Sequence, residues 1–405
     1  MIKKKLSQEI QSNVAAKPHD LASFYRNGFV LGIIIVLGAS LIFERWRWAK
    51  IPEMYPRFAD LRMITATADC VRRGGWTISS ETCDVFGRPY NYPTIWAKTF
   101  AFFSLGTKST ELIGFIFGIL LIATFSALVY NLVRKNCSLS QLLIVLLSSV
   151  SPPVLLLLER GNSDIVILFL IVIAALKFEK NPKLSAFISA FAIGLKLFPA
   201  MVGVIFFQRR KGVKALFLLV LLSAIMVFPS LKILNEITQR TGQNRNFSFG
   251  ATSTAAIFFP EALTTNGLIM LPFNAVLTVG ASLLLYACFS KSLRSTAEKI
   301  RIGKPESNLF YFSGWVFFGT YISGTRFDYS LSFLVPLVAA IALIRNKNNL
   351  LIGLQYLIVG SLWLAFTIRI DLALGDMSVT LITILFLAIW IAKTHNSWKT
   401  NRHIA

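Results

Sequence analysis

Histidine and cysteine are scarce in this sequence, and each scarcity excludes a kind of chemistry. The three histidines, His19, His395 and His403, lie in the terminal segments, so catalysis by imidazole is not expected. The four cysteines form no Cys-x-x-Cys pair and no spacing typical of metal ligands. No zinc site is therefore predicted, and no metal or cofactor is expected, although a metal ion at Asp60 or Asp69 stays an open alternative.

Cys70 and Cys83 are the two cysteines that share a predicted loop. They can form a disulfide if that loop faces an oxidising compartment, and can stay reduced if it does not. The sequence leaves both states open.

Charged residues are also few, at 15% of 405 residues, whereas 55% are hydrophobic. Apolar runs near the length needed to cross a bilayer, roughly 20 residues, recur along the chain. A net charge of +22 would suggest nucleic acid as the partner of a soluble protein. Here the basic residues lie in short loops between apolar runs, where they report orientation in a membrane, so no nucleic-acid partner is predicted.

The pattern predicts an all-α polytopic membrane protein in which residues 27–393 form a single transmembrane domain. Residues 1–26 and 394–405 are predicted to be cytoplasmic tails. About ten full spans are expected, at 27–43, 109–133, 139–158, 164–178, 213–234, 266–290, 308–324, 329–344, 350–368 and 376–393.

Residues 184–207 are predicted to form a hairpin of two short helices. Pro199 favours a break, because proline removes a backbone donor and restricts the preceding residue. Counting the segment as one crossing would place the later basic loops outside, against the positive-inside tendency. The hairpin also places Lys196 within the membrane, where a charge needs an anionic partner or must extend to an interface.

With this hairpin, the segments assigned to the cytoplasm carry 24 Lys or Arg against 5 acids. The asymmetry predicts a protein of the inner or plasma membrane with both termini cytoplasmic and outer loops at 44–108 and 235–265.

The first outer loop is predicted to contain an amphipathic helix over residues 55–75 that lies on the membrane. Its apolar residues recur at three- and four-residue spacing, and Asp60 falls near the edge of the stripe. A carboxylate there can serve as a general base for a hydroxyl group. Alternatively, Asp60 is a solvated charge paired with Arg57, Arg62 or Arg73.

Charged residues also occur at two later outer turns. In Glu159–Asp164, Asn162 or Ser163 can cap the next helix, whereas Arg160 suits a phosphate site. Arg326 and Asp328 follow a later span, where they can bind a ligand or form a local turn pair.

Two pairs of motifs resemble glycosyltransferase family 87, a family with the membrane-embedded GT-C fold that uses polyprenyl-phosphate sugars, typically mannose. Asp60 ahead of a small-residue helix is similar to the family's early loop, as is Tyr92 before Pro93. Gly161 with Asn162, and Lys196 three residues before Pro199, are similar to two later family motifs.

The resemblance continues in the second half of the chain. Asn246 opens a stretch similar to the family's Asn-x-Ser-Leu, and residues 324–329 loosely match a motif that ends in histidine. Here Asp328 or Tyr329 stands near the family's histidine, so a proton relay through imidazole is missing.

The resemblance implies a GT-C-like fold and an inverting hexosyltransferase. It would move a mannose-like hexose from a polyprenyl-phosphate donor to a glycan or glycolipid acceptor at the outer face, with membrane lipids as surroundings and no metal requirement. Oligomeric state and the identities of sugar and acceptor are not predicted. The implied residues are Asp60 as base, Lys196 at the donor phosphate, and Tyr92, Asn162, Asn246, Asp328 and Tyr329 as substrate contacts. The predicted topology adds Arg160 and Arg326 at the same phosphate.

Two other functions would use similar residues. A flippase of a lipid-linked sugar also needs basic intramembrane residues, although no internal repeat is evident. A polymerase or ligase of surface glycans commonly has its large outer loop late in the chain, whereas here the largest loop comes first.

Overall fold

The computed structural model describes residues 18–44, 46–74, 83–88, 90–134, 137–208, 212–230, 248–258, 267–300, 302–323, 326–367 and 372–402. Within these residues the protein is helical, as predicted, apart from two strands of two residues each.

The first part of the chain, up to residue 161, contains helices α1 (Pro18–Phe43), α2 (Ala59–Arg72), α3 (Thr94–Phe102), α4 (Thr110–Arg134), α5 (Leu139–Ser149) and α6 (Pro152–Arg160). The second part contains helices α7 (Asp164–Lys177), α8 (Pro182–Leu195), α9 (Gly203–Phe207), α10 (Gly212–Val227), α11 (Ala251–Phe258), α12 (Gly267–Lys299), α13 (Pro305–Ile322), α14 (Leu334–Leu343), α15 (Asn349–Thr367) and α16 (Leu372–Arg402). Short 3₁₀ turns lie at Arg47–Ala49, Thr107–Ser109, Phe198–Val202, Phe228–Ser230 and Asp328–Phe333.

Strands β1 (Ser248–Phe249) and β2 (Arg326–Phe327) pair antiparallel, with Ser248 opposite Phe327 and Phe249 opposite Arg326. The ring of Phe249 also stacks on Phe317 of α13, with 6.0 Å between the ring centroids. The ladder thus joins the middle of the second predicted outer loop to the turn that follows α13.

Five helical stretches of the described residues are long and apolar enough to cross a bilayer: Thr107–Leu132, Leu139–Arg160, Gly212–Ser230, Phe273–Lys299 and Leu374–Asn396. The membrane character of the chain is supported, whereas the number of ten spans stays a prediction. Shorter apolar stretches of 10–17 residues also occur among the described residues, including Pro182–Leu195 and Phe198–Phe207. Within the long stretch Leu139–Arg160, Pro152 begins a new helix.

The predicted break near Lys196 is confirmed. Helix α8 ends at Leu195, Lys196 is extended, and the chain continues as a 3₁₀ turn and then as the short helix α9. The φ and ψ angles of Lys196 are −156° and 142°. Pro199 lies in the first turn of the 3₁₀ segment, where its missing N–H costs no helical hydrogen bond.

The segment between α8 and α10 runs back across the bundle, as the predicted hairpin requires. Both helices end beside α3, where Trp96 Nε1 donates to the Leu195 carbonyl (3.1 Å) and the hydroxyls of Thr94 and Ser230 lie 3.3 Å apart. Helix α10 has 16 residues and so begins about 24 Å away from that end. The chain after Leu195 must cover this distance before α10 begins, and Gly203 accordingly lies beside Leu219, partway along α10.

Helix α13 forms the centre of the bundle, since every residue from Ser307 to Ile322 is buried. Two glycines allow its neighbours to approach closely. A Cβ atom on Gly314 would lie 2.0 Å from the ring of Phe386, and one on Gly319 would lie 2.2 Å from the carbonyl oxygen of Phe198. The hairpin therefore packs directly against helix α13.

Candidate functional site

Helix α2 carries Asp60 and is fixed by the residue that precedes it. Phe58 has a left-handed conformation (φ 56°, ψ 48°), and its side chain is 1% exposed. Its ring fills the space left by two glycines, because a Cβ atom would lie 2.3 Å from the ring at Gly114 and 2.9 Å from Phe58 Cβ at Gly161. Gly161 also has a positive φ of 57°, which favours glycine. Phe58 thereby brings the start of α2 against the turn that carries Asn162.

The predicted apolar stripe of α2 exists, but it packs against the protein. Leu61, Ile64 and Ala68 are fully buried. The Asp60 side chain is 14% exposed and faces the α6–α7 turn. Among the basic residues expected to pair with Asp60, Arg57 instead pairs with Glu44, at 3.0 Å.

Asp60 has two partners from distant parts of the chain. The Nδ2 atom of Asn162 donates to Asp60 Oδ2 at 2.6 Å, and Nη1 of Arg88 lies 3.2 Å from Asp60 Oδ1. Asn162 Nδ2 also donates to the Tyr92 hydroxyl at 3.1 Å. Each carboxylate oxygen of Asp60 is thus held by a hydrogen-bond donor, which orients the group.

Lys196 contacts the side-chain oxygen of Asn162, the residue whose side-chain nitrogen binds Asp60. Its ammonium group donates to Asn162 Oδ1 at 3.1 Å and forms an ion pair with Asp164 Oδ1. Asp164 is fully buried and also accepts a hydrogen bond from Ser330 at 2.7 Å. The predicted anionic partner of Lys196 is therefore Asp164, and Asn162 lies between the carboxylate of Asp60 and the ammonium of Lys196.

Asn162 also fulfils its predicted capping role, because its Oδ1 atom accepts the backbone N–H of Asp164 at 3.0 Å. Ser163, the alternative cap, makes no side-chain capping bond. Since Oδ1 accepts from Lys196 and the backbone while Nδ2 donates to Asp60, the amide orientation of Asn162 is determined by its surroundings.

Aromatic rings surround the Lys196 ammonium. The ring centroids of Tyr92, Tyr329 and Phe198 lie 5.4, 5.9 and 6.0 Å from Nζ. Their faces favour a cation at this position. Tyr92 and Tyr329, both predicted as substrate contacts, are therefore adjacent to Lys196.

Tyr92 is positioned to donate a hydrogen bond. Burial, followed by the negative charge of Asp60, raises the pKa of Tyr92 well above its usual value, so the phenol keeps its proton. The hydroxyl oxygen already accepts from Asn162, which leaves the O–H to donate to a ligand.

The other two predicted cations are placed differently. Arg160 forms an ion pair with Glu159 at 2.9 Å and donates to the Pro52 carbonyl at 3.3 Å. The backbone of Arg326 lies in β2, but its side chain is outside the described residues, as is Asn246. Asp328 is buried, with 5% of its surface exposed.

Arg88 and Ser330 also belong to this site, although no motif in the sequence indicates them. Arg88 lies 28 residues after Asp60 in an irregular loop. Such a loop has no periodic pattern from which this contact could be predicted. Ser330 lies in the 3₁₀ turn after β2 and has no motif of its own. The sequence indicated this turn through the neighbouring residues Asp328 and Tyr329.

Cys70 and Cys83 form a disulfide, which decides between the two states left open by the sequence. The bond attaches the segment that contains Arg88 and Tyr92 to helix α2. Among the residues that the structure describes, no group of three or more His, Cys, Asp or Glu side chains gathers as metal ligands would.

The sequence model of glycosyltransferase family 87 matches residues 90–297, just over half of the chain. The chain belongs to glycosyltransferase family 87. The matched range contains Tyr92, Asn162, Asp164 and Lys196, whereas Asp60 and Ser330 lie outside it. No curated protein and no solved structure matched the chain significantly. Family membership establishes the chain as a glycosyltransferase and, with the apolar helices, as a membrane protein.

Proposed function

We propose that this family 87 glycosyltransferase moves a mannose-like hexose from a polyprenyl-phosphate donor to a hydroxyl group of a glycan or glycolipid acceptor, with inversion, at the outer face of the membrane. The observation that carries the proposal is the position of Asn162 between Asp60 and Lys196. A base and a cation are thereby held on either side of one amide group.

The separation of the two charged groups suits a displacement reaction. The path from the Asp60 carboxylate to the Lys196 ammonium is two hydrogen bonds and one amide, so the groups lie within about 8 Å of each other. Inverting glycosidases separate their two catalytic groups by roughly 6.5 to 9.5 Å, for the analogous reason that a nucleophile must fit between base and substrate.

In the proposed reaction, Asp60 accepts the proton of the acceptor hydroxyl as its oxygen attacks the anomeric carbon. The bond between this carbon and the donor phosphate oxygen breaks, and its electron pair stays on the phosphate. Lys196 stabilises the growing negative charge, which a preorganised cation does well away from water. Attack opposite the leaving phosphate inverts the anomeric centre.

Further residues are assigned to the substrates on the same basis. Tyr92 and Tyr329 line the Lys196 side of the site, where they contact the sugar or the phosphate. Arg160 and Arg326 supply additional positive charge for the donor, with Arg160 exchanging its contact to Glu159 for the phosphate. Cations fulfil the role a metal ion would have, so we expect dialysis against EDTA to leave the transfer rate unchanged.

The test is transfer of radiolabelled mannose from polyprenyl phosphate by the purified protein in proteoliposomes. Asp60→Asn is expected to lower kcat by about 10² to 10⁴, the usual contribution of a general base, while donor binding and the unfolding temperature persist. Asp69→Asn on the same helix is the matched control and should retain transfer. Near-normal transfer by Asp60→Asn would remove Asp60 as the base.

A further inference from the structure

The segment from Cys83 to Tyr92 is attached to helix α2 at two separate points. One is the disulfide between Cys83 and Cys70, whose Cα atoms lie 6.1 Å apart. The other is the contact between Arg88 and Asp60 at 3.2 Å. Ten residues, about 15 Å along a helix, separate the two attachment points on α2. The segment is therefore fixed against α2 over most of that helix.

Arg88 uses its guanidinium group almost completely within the protein. Its Nε and Nη2 atoms donate to the two carboxylate oxygens of Asp84, at 2.8 and 3.4 Å. Nη2 also donates to the Ala59 carbonyl at 2.6 Å, and Nη1 reaches Asp60. A guanidinium has five N–H donors, so little capacity remains for a substrate phosphate. This occupancy favours a positioning role over a role in donor binding.

Asp84 links the disulfide to this arrangement. It follows Cys83 directly, and its side chain is only 1% exposed. It also accepts a hydrogen bond from the backbone N–H of Arg88 at 3.2 Å. Burial alone would lower the pKa of Arg88, but the hydrogen bond to Asp84 and the charge of Asp60 raise it overall. The guanidinium is therefore cationic at every working pH.

We propose that Arg88 is a positioning residue that holds Asp60 oriented for the reaction, and that the Cys70–Cys83 disulfide keeps the Arg88 segment in place. The inference rests on the proposed function of Asp60 as the base. Arg88 binds one carboxylate oxygen of Asp60 and Asn162 binds the other, so the carboxylate can turn only if one of these contacts breaks.

The contact with Arg88 has a measurable consequence for catalysis. A base contributes to the rate only when its oxygen is aligned with the proton that it accepts, whereas donor binding does not depend on that alignment. Loss of Arg88 should therefore lower kcat by about 10² and leave donor KM nearly unchanged.

The experiment measures kcat and donor KM for mannose transfer in proteoliposomes. Arg88→Ala should lower kcat by about 10² and change donor KM less than twofold, whereas Arg88→Lys should restore part of kcat. Because Arg88→Ala leaves the buried Asp84 unpaired, Arg88→Ala with Asp84→Asn is the second variant, with the same expected split between kcat and donor KM. A rise in donor KM with an unchanged kcat would assign Arg88 to phosphate binding and overturn the proposal.

The disulfide is tested with a matched pair of double variants. Cys70→Ser with Cys83→Ser should lower kcat and leave donor KM nearly unchanged, as the Arg88 variants do. Cys137→Ser with Cys288→Ser removes the two free cysteines and should change neither kcat nor donor KM. A wild-type kcat without the disulfide would exclude its positioning role. An Asp60→Asn variant that remains active would instead contradict the proposed function. Failure of the positioning proposal and failure of the proposed function are therefore distinguishable.

Discussion

Lys196 and Asp164 form an ion pair between the bend of the hairpin and the first turn of helix α7. Lys196 has an extended backbone conformation directly after the last residue of α8, and from there its ammonium group contacts Asp164. Asp164 is fully buried, and the Lys196 side chain is 12% exposed. A helix that begins with an acidic residue complements its own dipole, and here the same carboxylate also neutralises the cation of the site.

The first prediction concerns this ion pair. Lys196→Met leaves a buried carboxylate, and Asp164→Asn leaves a buried ammonium, so each single variant should lose about 3 to 5 kcal/mol of stability. The double variant removes both charges and should recover much of that loss. Thermal unfolding in detergent measures the coupling.

Activity separates the structural role of the pair from the proposed chemical role of Lys196. The double variant should fold yet remain inactive in mannose transfer, because the leaving phosphate has lost its cation. Equal destabilisation by the double variant and the single variants would contradict the coupling. A folded double variant that transfers normally would remove Lys196 from the proposed mechanism.

The sequence predicted the helical membrane architecture and the hairpin, because apolar runs, basic loops and Pro199 are local signals. It also predicted that Lys196 has an anionic partner, although not that this partner is Asp164. The Arg88 contact was missed, since Asp60 has nearer basic residues in the sequence and only the folded loop selects among them. Tertiary contacts made by irregular segments do not produce a periodic pattern in the sequence.

The apolar stripe of α2 illustrates a second limit. Spacing predicts which residues share a face, and Leu61, Ile64 and Ala68 do share one. Spacing cannot distinguish a lipid surface from the surface of a neighbouring helix, because both bury apolar side chains. The approach of α2 to the protein depends on Phe58 against Gly114 and Gly161, and those glycines are distant in sequence.

The second prediction concerns pH and Asp69, which joins α2 to the turn before α4. Burial alone would raise the pKa of Asp69, but hydrogen bonds from the backbone and side chain of Thr107 and the contact with Arg72 lower it. A depressed carboxylate pKa stabilises the fold above the unfolded-state value, about 3.9, and the contribution is lost as the pH falls through the folded value.

Wild-type protein should therefore be more stable than Asp69→Asn at pH 7, by about 1 kcal/mol for a partly exposed charged hydrogen bond. The difference should shrink as the pH falls below about 4. Unfolding temperatures of both proteins across this range provide the measurement. A difference that stays constant down to pH 3 would show that the ionised carboxylate is not its source.

The third prediction tests the contact between the central helix and the hairpin. A Cβ atom on Gly319 would lie 2.2 Å from the carbonyl oxygen of Phe198, and a backbone atom cannot move aside as a flexible side chain can. Gly319→Ala should therefore cost about 1 to 3 kcal/mol despite the better helix propensity of alanine. It should also lower transfer, because the displaced backbone carries Lys196.

Gly353→Ala in helix α15 is the matched control, since nothing lies within 4 Å of the added atom. It should be neutral or slightly stabilising. Unfolding temperatures and transfer rates are measured for both variants. Equal behaviour of the two would mean that Gly319 is not needed for the close approach.

The fourth prediction concerns the side of the membrane on which Asp60 lies. The positive-inside tendency places the loop that carries Asp60 outside and residues 345–347 inside. The disulfide in the same loop provides an independent argument, since disulfides persist in oxidising compartments and are rare in the cytosol. Charge distribution and cysteine chemistry therefore favour the same orientation.

Single cysteines at exposed positions test this orientation in a Cys137→Ser, Cys288→Ser background that retains the disulfide. Lys98→Cys in α3 should react with a membrane-impermeant maleimide in intact cells, whereas Asn346→Cys should react only after permeabilisation. The reverse pattern would place Asp60 in the cytosol and remove the outer-face acceptor from the proposal. The Asp60, Asn162 and Lys196 geometry would still stand, because it depends on contacts within the protein and not on the side that they face.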